Sequence, residues 1–214
     1  MRIIAISDVH ECWHDFDLPK GDMLVVAGDL CERRDGSFAK ADAWFASVKD
    51  AFEKAVYVPG NHDANIIVQP MKYERLAPSL LAAMLVDETI ELSGGFRLHA
   101  MPWETENRDY PEAQIPENLD VLVSHEPPFG ILDWSPKTKD VRLGNHELLK
   151  RVRSVRPRLH VFGHCHAAYG SQMVGATTFV NVAICGDPNK YYGAYHPPTV
   201  IDIDVDAIQV TQWR

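Results

Sequence analysis

The sequence predicts an α/β fold in which two mixed sheets face each other and helices cover their outer sides. Three observations lead there. Apolar, β-branched-rich runs at 2–7, 22–27 and 55–58 alternate with one helical stretch and short loops, the pattern of a mostly parallel sheet. Two more apolar runs, 119–124 and 159–162, bracket a second helical stretch. The remainder breaks into short strands separated by turn signals.

Taken in order, residues 2–7 form a strand that delivers Asp8 and His10 into a loop, and 22–27 deliver Gly28-Asp29 in the same way. Phe38, Ala41, Trp44, Phe45, Val48 and Phe52 recur at helical spacing, so a crossover helix is expected over 38–54. The third strand, 55–58, stops at Pro59-Gly60 and presents Asn61, His62 and Asp63 in succession. Residues 65–82 read as a helix broken at Pro70 and Pro78. Strands are expected at 84–86, 89–92 and 95–100, the last two joined by the hairpin signal Ser93-Gly94-Gly95. The polar stretch 102–118 has little periodicity, and loops of that length usually carry function or mobility. Strand 119–124 delivers His125; a helix over about 146–155 follows, with Asn145 as its N-cap; strand 159–162 delivers Gly163-His164-Cys165-His166. The stretches 172–174, 177–183, 199–204 and 208–213 are expected as antiparallel strands closing the second half. No repeat or linker interrupts the chain, so 1–214 reads as a single domain.

Bulk properties narrow the function classes. The 214 residues, 46% hydrophobic, suffice for one sizeable core. The net charge of −9 argues against a long nucleic-acid groove. No apolar run approaches the ~20 residues that span a bilayer, so no membrane partner is expected. The start is too short and too soon charged for a signal peptide. Cys12, Cys31, Cys165 and Cys185 lack zinc-type pair spacing, which suits a reducing cytoplasm better than a disulfide scaffold.

The chemistry gathers at five strand ends: Asp8 with His10, Asp29, Asn61 with His62, His125, and His164 with His166. Ligands two residues apart on extended chain share one side. Mixed carboxylate and imidazole groups suit zinc, iron or manganese better than a calcium cage. There are more of them than one ion needs, and two ions bridged by a carboxylate fit the set. Paired metals can clamp the attacking and leaving oxygens of a phosphoryl transfer.

Asp8-x-His10, Gly28-Asp29, Gly60-Asn61-His62-Asp63, a lone His125 and Gly163-His164-x-His166 occur in the order seen in calcineurin-like metallophosphoesterases, which this chain resembles. The resemblance implies a four-layer α/β/β/α sandwich and two divalent ions, manganese foremost, with iron, zinc or nickel as alternatives. It implies that Asp8, His10 and His166 hold the first metal, Asn61, His125 and His164 the second, and that Asp29 bridges both. A hydroxide between the ions would attack phosphorus in line, His62 would protonate the leaving oxygen, and Asp63 would orient its ring. Gly28-Asp29-Leu30-Cys31-Glu32-Arg33 is similar to the family's Gly-Asp-x-x-Asp-Arg, which leaves Arg33 open to phosphate contact or a surface salt bridge.

Ser124-His125-Glu126-Pro127-Pro128-Phe129-Gly130, Glu147-Leu148-Leu149 and the run Pro157 to His166, continuing to Tyr169-Gly170, are similar to the small branch that includes the mammalian metallophosphoesterase-domain proteins. That branch acts on cyclic nucleotides, so hydrolysis of a small phosphodiester, a nucleotide among the candidates, is the favoured expectation. Glu126 stands where Gly is expected, which puts the substrate in question. A phosphomonoesterase is the alternative. A non-catalytic scaffold is disfavoured because every ligand and His62 are present.

Other signals have plainer readings. Gly144-Asn145-His146-Glu147 repeats the letters of the metal loop but opens a helix, so an N-cap is expected. Cys12 and Cys31 can lie close together, with a structural role favoured over a redox one. Trp103 can line the substrate pocket or fill the core. His14, His99, His160 and His196 belong to no motif, and Tyr191, Tyr192 and Tyr195 stay unassigned. Oligomeric state is not legible.

Overall fold

The computed structural model describes all residues except 33–37, 105–110, 136–140, 187–195 and 214. The first sheet has the order β11-β10-β1-β2-β3, built from β1 (Arg2–Ile6), β2 (Met23–Val26), β3 (Lys54–Tyr57), β10 (Thr199–Ile203) and β11 (Ile208–Gln212). The second has the order β4-β5-β6-β7-β9-β8, from β4 (Glu88–Glu91), β5 (Arg97–Met101), β6 (Val121–Ser124), β7 (Leu159–Phe162), β8 (Gly170–Val174) and β9 (Thr177–Asn181). β1 to β3 are parallel, as are β5, β6, β7 and β9.

Alternation along the strands produces the layers. Ile3 and Ala5 of β1, Met23 and Val25 of β2, and Val121 and Val123 of β6 point into the core shared by the two sheets. Ile4, Ile6, Leu24 and Val26 point outward, onto Phe38, Phe45 and Leu80 of the helices α1 (Phe38–Lys49) and α4 (Pro78–Ala83). On the far side, Leu122, Phe162 and Phe179 meet Leu148, Leu149, Val152 and Val155 of α5 (His146–Val155). Parallel strands buried on both faces explain why the runs read as continuously apolar. The expected α/β/β/α sandwich is the one observed.

Local expectations held where chemistry was local. The stretch after β3 splits into α2 (Asn65–Val68), α3 (Pro70–Tyr73) and α4, with Pro70 and Pro78 each at a helix start. Asn145 caps α5, its side-chain oxygen accepting from the Leu148 amide at 2.9 Å. Ser93–Gly95 turns the antiparallel β4–β5 hairpin.

Three expectations are corrected. The helix from Phe38 ends at Lys49, because a turn over 48–52 brings Phe52 onto the same core without helical geometry. Residues 84–86 make no strand; Met84 forms an isolated bridge to Tyr57. The late strands do not all close the second half: β10 and β11 join the first sheet beside β1, and β9 runs parallel to β7. An apolar pattern marks a strand without naming its neighbour.

Candidate metal centre

Both parallel sets of strands end at one edge of the sandwich, and the loops that follow them interlock. The Asp8 amide donates to the Gly28 carbonyl at 2.9 Å, the His10 amide to Asp29 at 3.1 Å, and the Gly163 amide to His125 at 3.0 Å. The chain leaving β9 crosses between the sheets: Ser7 donates to the Val182 carbonyl at 3.0 Å, and Ile184 donates back to Ser7 at 2.8 Å. Candidate ligands from opposite sheets are thereby tied to one another.

Two clusters result, with one carboxylate between them. In the first, Asp8 Oδ1 lies 3.1 Å from His166 Nε2 and 3.8 Å from His10 Nε2, and the two Nε2 atoms are 3.2 Å apart. In the second, Asn61 Oδ1 lies 3.0 Å from both His125 Nε2 and His164 Nδ1. Asp29 Oδ2 stands 3.3 Å from His125 Nε2 and 4.0 Å from His10 Nε2, so it reaches toward both clusters. Its other oxygen accepts the His62 amide at 2.8 Å.

The donor chemistry fits cations. His125 Nδ1 donates to the Ala27 carbonyl at 2.8 Å, so in the neutral ring Nε2 presents its lone pair to the oxygens of Asn61 and Asp29. His166 Nδ1 donates to the Gly186 carbonyl at 2.9 Å and likewise turns Nε2 inward. Asp8 Oδ1 is buried and makes no hydrogen bond. Acceptors converging on acceptors repel unless positive charge sits among them. These carbonyls fix the imidazole tautomers as outer partners do in metal sites.

The electrostatics agree. Burial opposes charge on His125 and His10, yet Asp29 and Asp8 overrule it and raise them to about 10 and about 9. Burial and then the His125 charge push His164 down to about 4. Burial also opposes charge on Asp8 and Asp29, but His166 and His125 respectively keep them below the usual carboxylate range. Two fully buried carboxylates demand compensation from protons or from cations. Asp8, His10, Asp29 and His164 all adopt left-handed backbone, with φ of 52°, 45°, 54° and 65°. That region is uncommon for residues with a Cβ, and it clusters where side chains are re-aimed for function.

His62 sits at the rim of this centre. Its Nδ1 donates to the Glu32 carbonyl, which turns Nε2 toward the cluster, and its ring meets His10 edge-on at 4.8 Å. The expectation that Asp63 orients this ring is corrected. Asp63 is fully buried, and its two oxygens accept the Leu30 and Cys31 amides, both at 3.1 Å. It braces the loop after Asp29, while Glu32 positions His62. A backbone carbonyl has no sequence signature, so neither this partner nor those of His125 and His166 could be read beforehand.

Among the remaining expectations, Arg33 lies outside the described residues, as do Tyr191, Tyr192 and Tyr195. Trp103 packs its ring 4.9 Å from His164 and 5.8 Å from His125, at the centre and not deep in the core. Glu126 accepts from Asn145 Nδ2 at 3.0 Å, and burial raises its carboxyl to about 7. The thiol that interacts with Cys12 is Cys185, from the crossing segment. His99 and His160 are buried and hydrogen-bonded. No helix among the described residues is long and apolar enough to cross a membrane.

Comparison with known proteins agrees with this geometry. Human metallophosphoesterase domain-containing protein 1 is 34% identical, the match covering 94% of this chain and 71% of that protein. A UPF0046 protein of Caenorhabditis elegans is 31% identical over 92% of this chain and 79% of its own length. Among solved structures, TT1561 of Thermus thermophilus superimposes with a TM-score of 0.61 at 15% identity, over 99% of this chain and 98% of that one. The phosphopantetheinyl hydrolase of Mycobacterium tuberculosis does so with a TM-score of 0.58 at 16% identity, over 89% and 93%. Both establish the fold alone. The family model for calcineurin-like phosphoesterases matches residues 1–168, which contain all five loops that bear the candidate ligands, and the chain belongs to that family.

Proposed function

We propose that this chain, acting as one domain over 1–214, hydrolyses a small phosphodiester at a dinuclear metal centre, with cyclic nucleotides the first substrates to test. The observation that carries the reading is Asp29, whose Oδ2 stands within 4.0 Å of imidazole nitrogens from both clusters. Asp8, His10 and His166 would hold one ion, Asn61, His125 and His164 the other, and Asp29 would serve both. Manganese is the proposed metal on the family resemblance; the carboxylate and amide oxygens suit it, while the imidazoles suit zinc, iron or nickel as well. When bound, divalent ions supply Lewis acidity at the phosphoryl oxygens and lower the pKa of water.

The chain's own residues do the rest. With Nδ1–H committed to Glu32, His62 is left one nitrogen, Nε2, through which to carry a proton to the leaving oxygen. The backbone amides that grip Asp8 and Asp29 hold the carboxylates without competing for their inward oxygens. Glu126 lies within electrostatic reach of His125 and of Glu104, and negative charge there repels a dianion more than a monoanion, which favours a diester over a monoester.

The test is hydrolysis by manganese-loaded protein of bis(p-nitrophenyl) phosphate against p-nitrophenyl phosphate, then of 2′,3′- and 3′,5′-cyclic nucleotides. Preference for the diester is expected. Preference for the monoester would keep the centre and move the activity to a phosphatase. Two bound metals with no turnover on any substrate would sink the enzymatic reading.

A further inference from the structure

Asn181 belongs to no motif and holds no ligand position, yet it is fully buried at the point where the chain leaves β9 and crosses to the first sheet. Its side-chain amide makes four polar contacts. Nδ2 donates to the Cys165 carbonyl at 2.9 Å, with longer contacts to the Leu132 and Gly163 carbonyls at 3.3 and 3.4 Å. Oδ1 accepts the Ala183 amide at 3.0 Å. Carbonyls only accept and the Ala183 amide only donates, so the orientation of this side chain admits no flip.

The groups it joins all carry the metal centre. Gly163 and Cys165 flank His164, and Cys165 precedes His166. Leu132 lies in the loop that continues from His125. Ala183 stands in the crossing segment, where it pairs with Ser7, immediately before Asp8. Two residues on, the Cys185 amide donates to the Asp8 carbonyl at 3.2 Å, and the Gly186 carbonyl holds the His166 ring. We propose that Asn181 is a positioning residue for metal binding, the tie that keeps the ligands of the second sheet in register with Asp8 of the first. The proposal rests on the metal centre described above.

An apolar replacement would remove the contacts to all three carbonyls and to the Ala183 amide at once. Outer partners of this kind typically alter metal affinity by ~10–100-fold. The experiment compares wild type with Asn181→Ala and with Asn181→Ser, which keeps one hydroxyl donor. Manganese binding is followed by calorimetry at a temperature where each metal-free protein is folded, and turnover is measured against manganese concentration. The expected result is a fall in manganese affinity of about 10–100-fold in Asn181→Ala and a smaller one in Asn181→Ser, with turnover largely recovered at saturating metal. A purely structural role would lower the melting temperature of the metal-free protein and leave the affinity where it was. Two ions bound by wild type, with equal affinity in either folded variant, would overturn this inference alone. No manganese bound by wild type would overturn the metal centre and the inference with it. Should Asn181→Ala not fold, Asn181→Ser decides.

Discussion

His160 gives a sharp test of how burial controls this fold. Its ring is fully buried between Phe162 and Phe179, with centroids 5.0 and 5.7 Å away. The Ser124 hydroxyl donates to the Glu126 carbonyl at 2.7 Å, so it accepts from His160 Nε2 at 2.8 Å and leaves Nδ1 unpartnered. Burial alone lowers this imidazole from 6.5 to about 3. The unfolded chain therefore takes up the proton first. The stability contributed by keeping His160 neutral is whole above pH 6.5 and drains as pH falls toward 3. At pH 5 the unfolded histidine is protonated roughly 30-fold over neutral while the folded one stays neutral, a loss of about 2 kcal/mol. His160→Gln keeps a donor for Ser124 and removes the titration. Urea unfolding of metal-free protein at pH 7.5 and pH 5 is expected to cost wild type about 2 kcal/mol more than the variant across that interval. Comparing the two proteins cancels the titration of His10, His125 and His166, which both share. Equal pH dependence in the two proteins would refute the reasoning, because the burial of His160 would then carry no protonation penalty.

Other outcomes follow from the centre itself. His62→Ala should keep both metals by calorimetry and lose turnover by ~10²–10⁴-fold, and full activity would remove His62 from proton transfer. Asp29→Asn should weaken both metal sites together, whereas loss of one ion alone, read by metal analysis, would argue against its shared position. Gly60→Ala would place a Cβ 2.2 Å from Asp29 Oδ1 and 2.7 Å from the His125 ring; manganese affinity should drop sharply, and unchanged binding would show that the Asp29 loop yields easily.

The left-handed backbone at four candidate ligands bears on stability as well as aim. Such conformations cost on the order of 1 kcal/mol each, less for Asp than for bulkier residues. Gly163, between strand β7 and His164, has no space for a side chain: a Cβ there would fall 2.1 Å from Ser7 Oγ and 2.2 Å from Asp8 Oδ2. The two sheets approach so closely at this edge that glycine is the residue that fits.

The sequence by itself determined the layered class, the strand that carries each candidate ligand and the breaks at Pro70 and Pro78. Those depend on interactions within a few residues: alternation of apolar side chains, the fixed φ of proline, the capping of α5 by Asn145. It also exposed Asp8, His10, Asp29, Asn61, His125, His164 and His166, because polar residues after buried strands stand out against their background. Only the tertiary structure decided that β10 lies beside β1, that the segment after β9 crosses between the sheets, and that Asp63 serves the loop while the Glu32 carbonyl holds His62. Each of those joins residues far apart in the chain. Their partners are backbone groups or neighbouring strands, and every residue carries the same backbone, so no pattern of side chains announces which amide or carbonyl will be in reach.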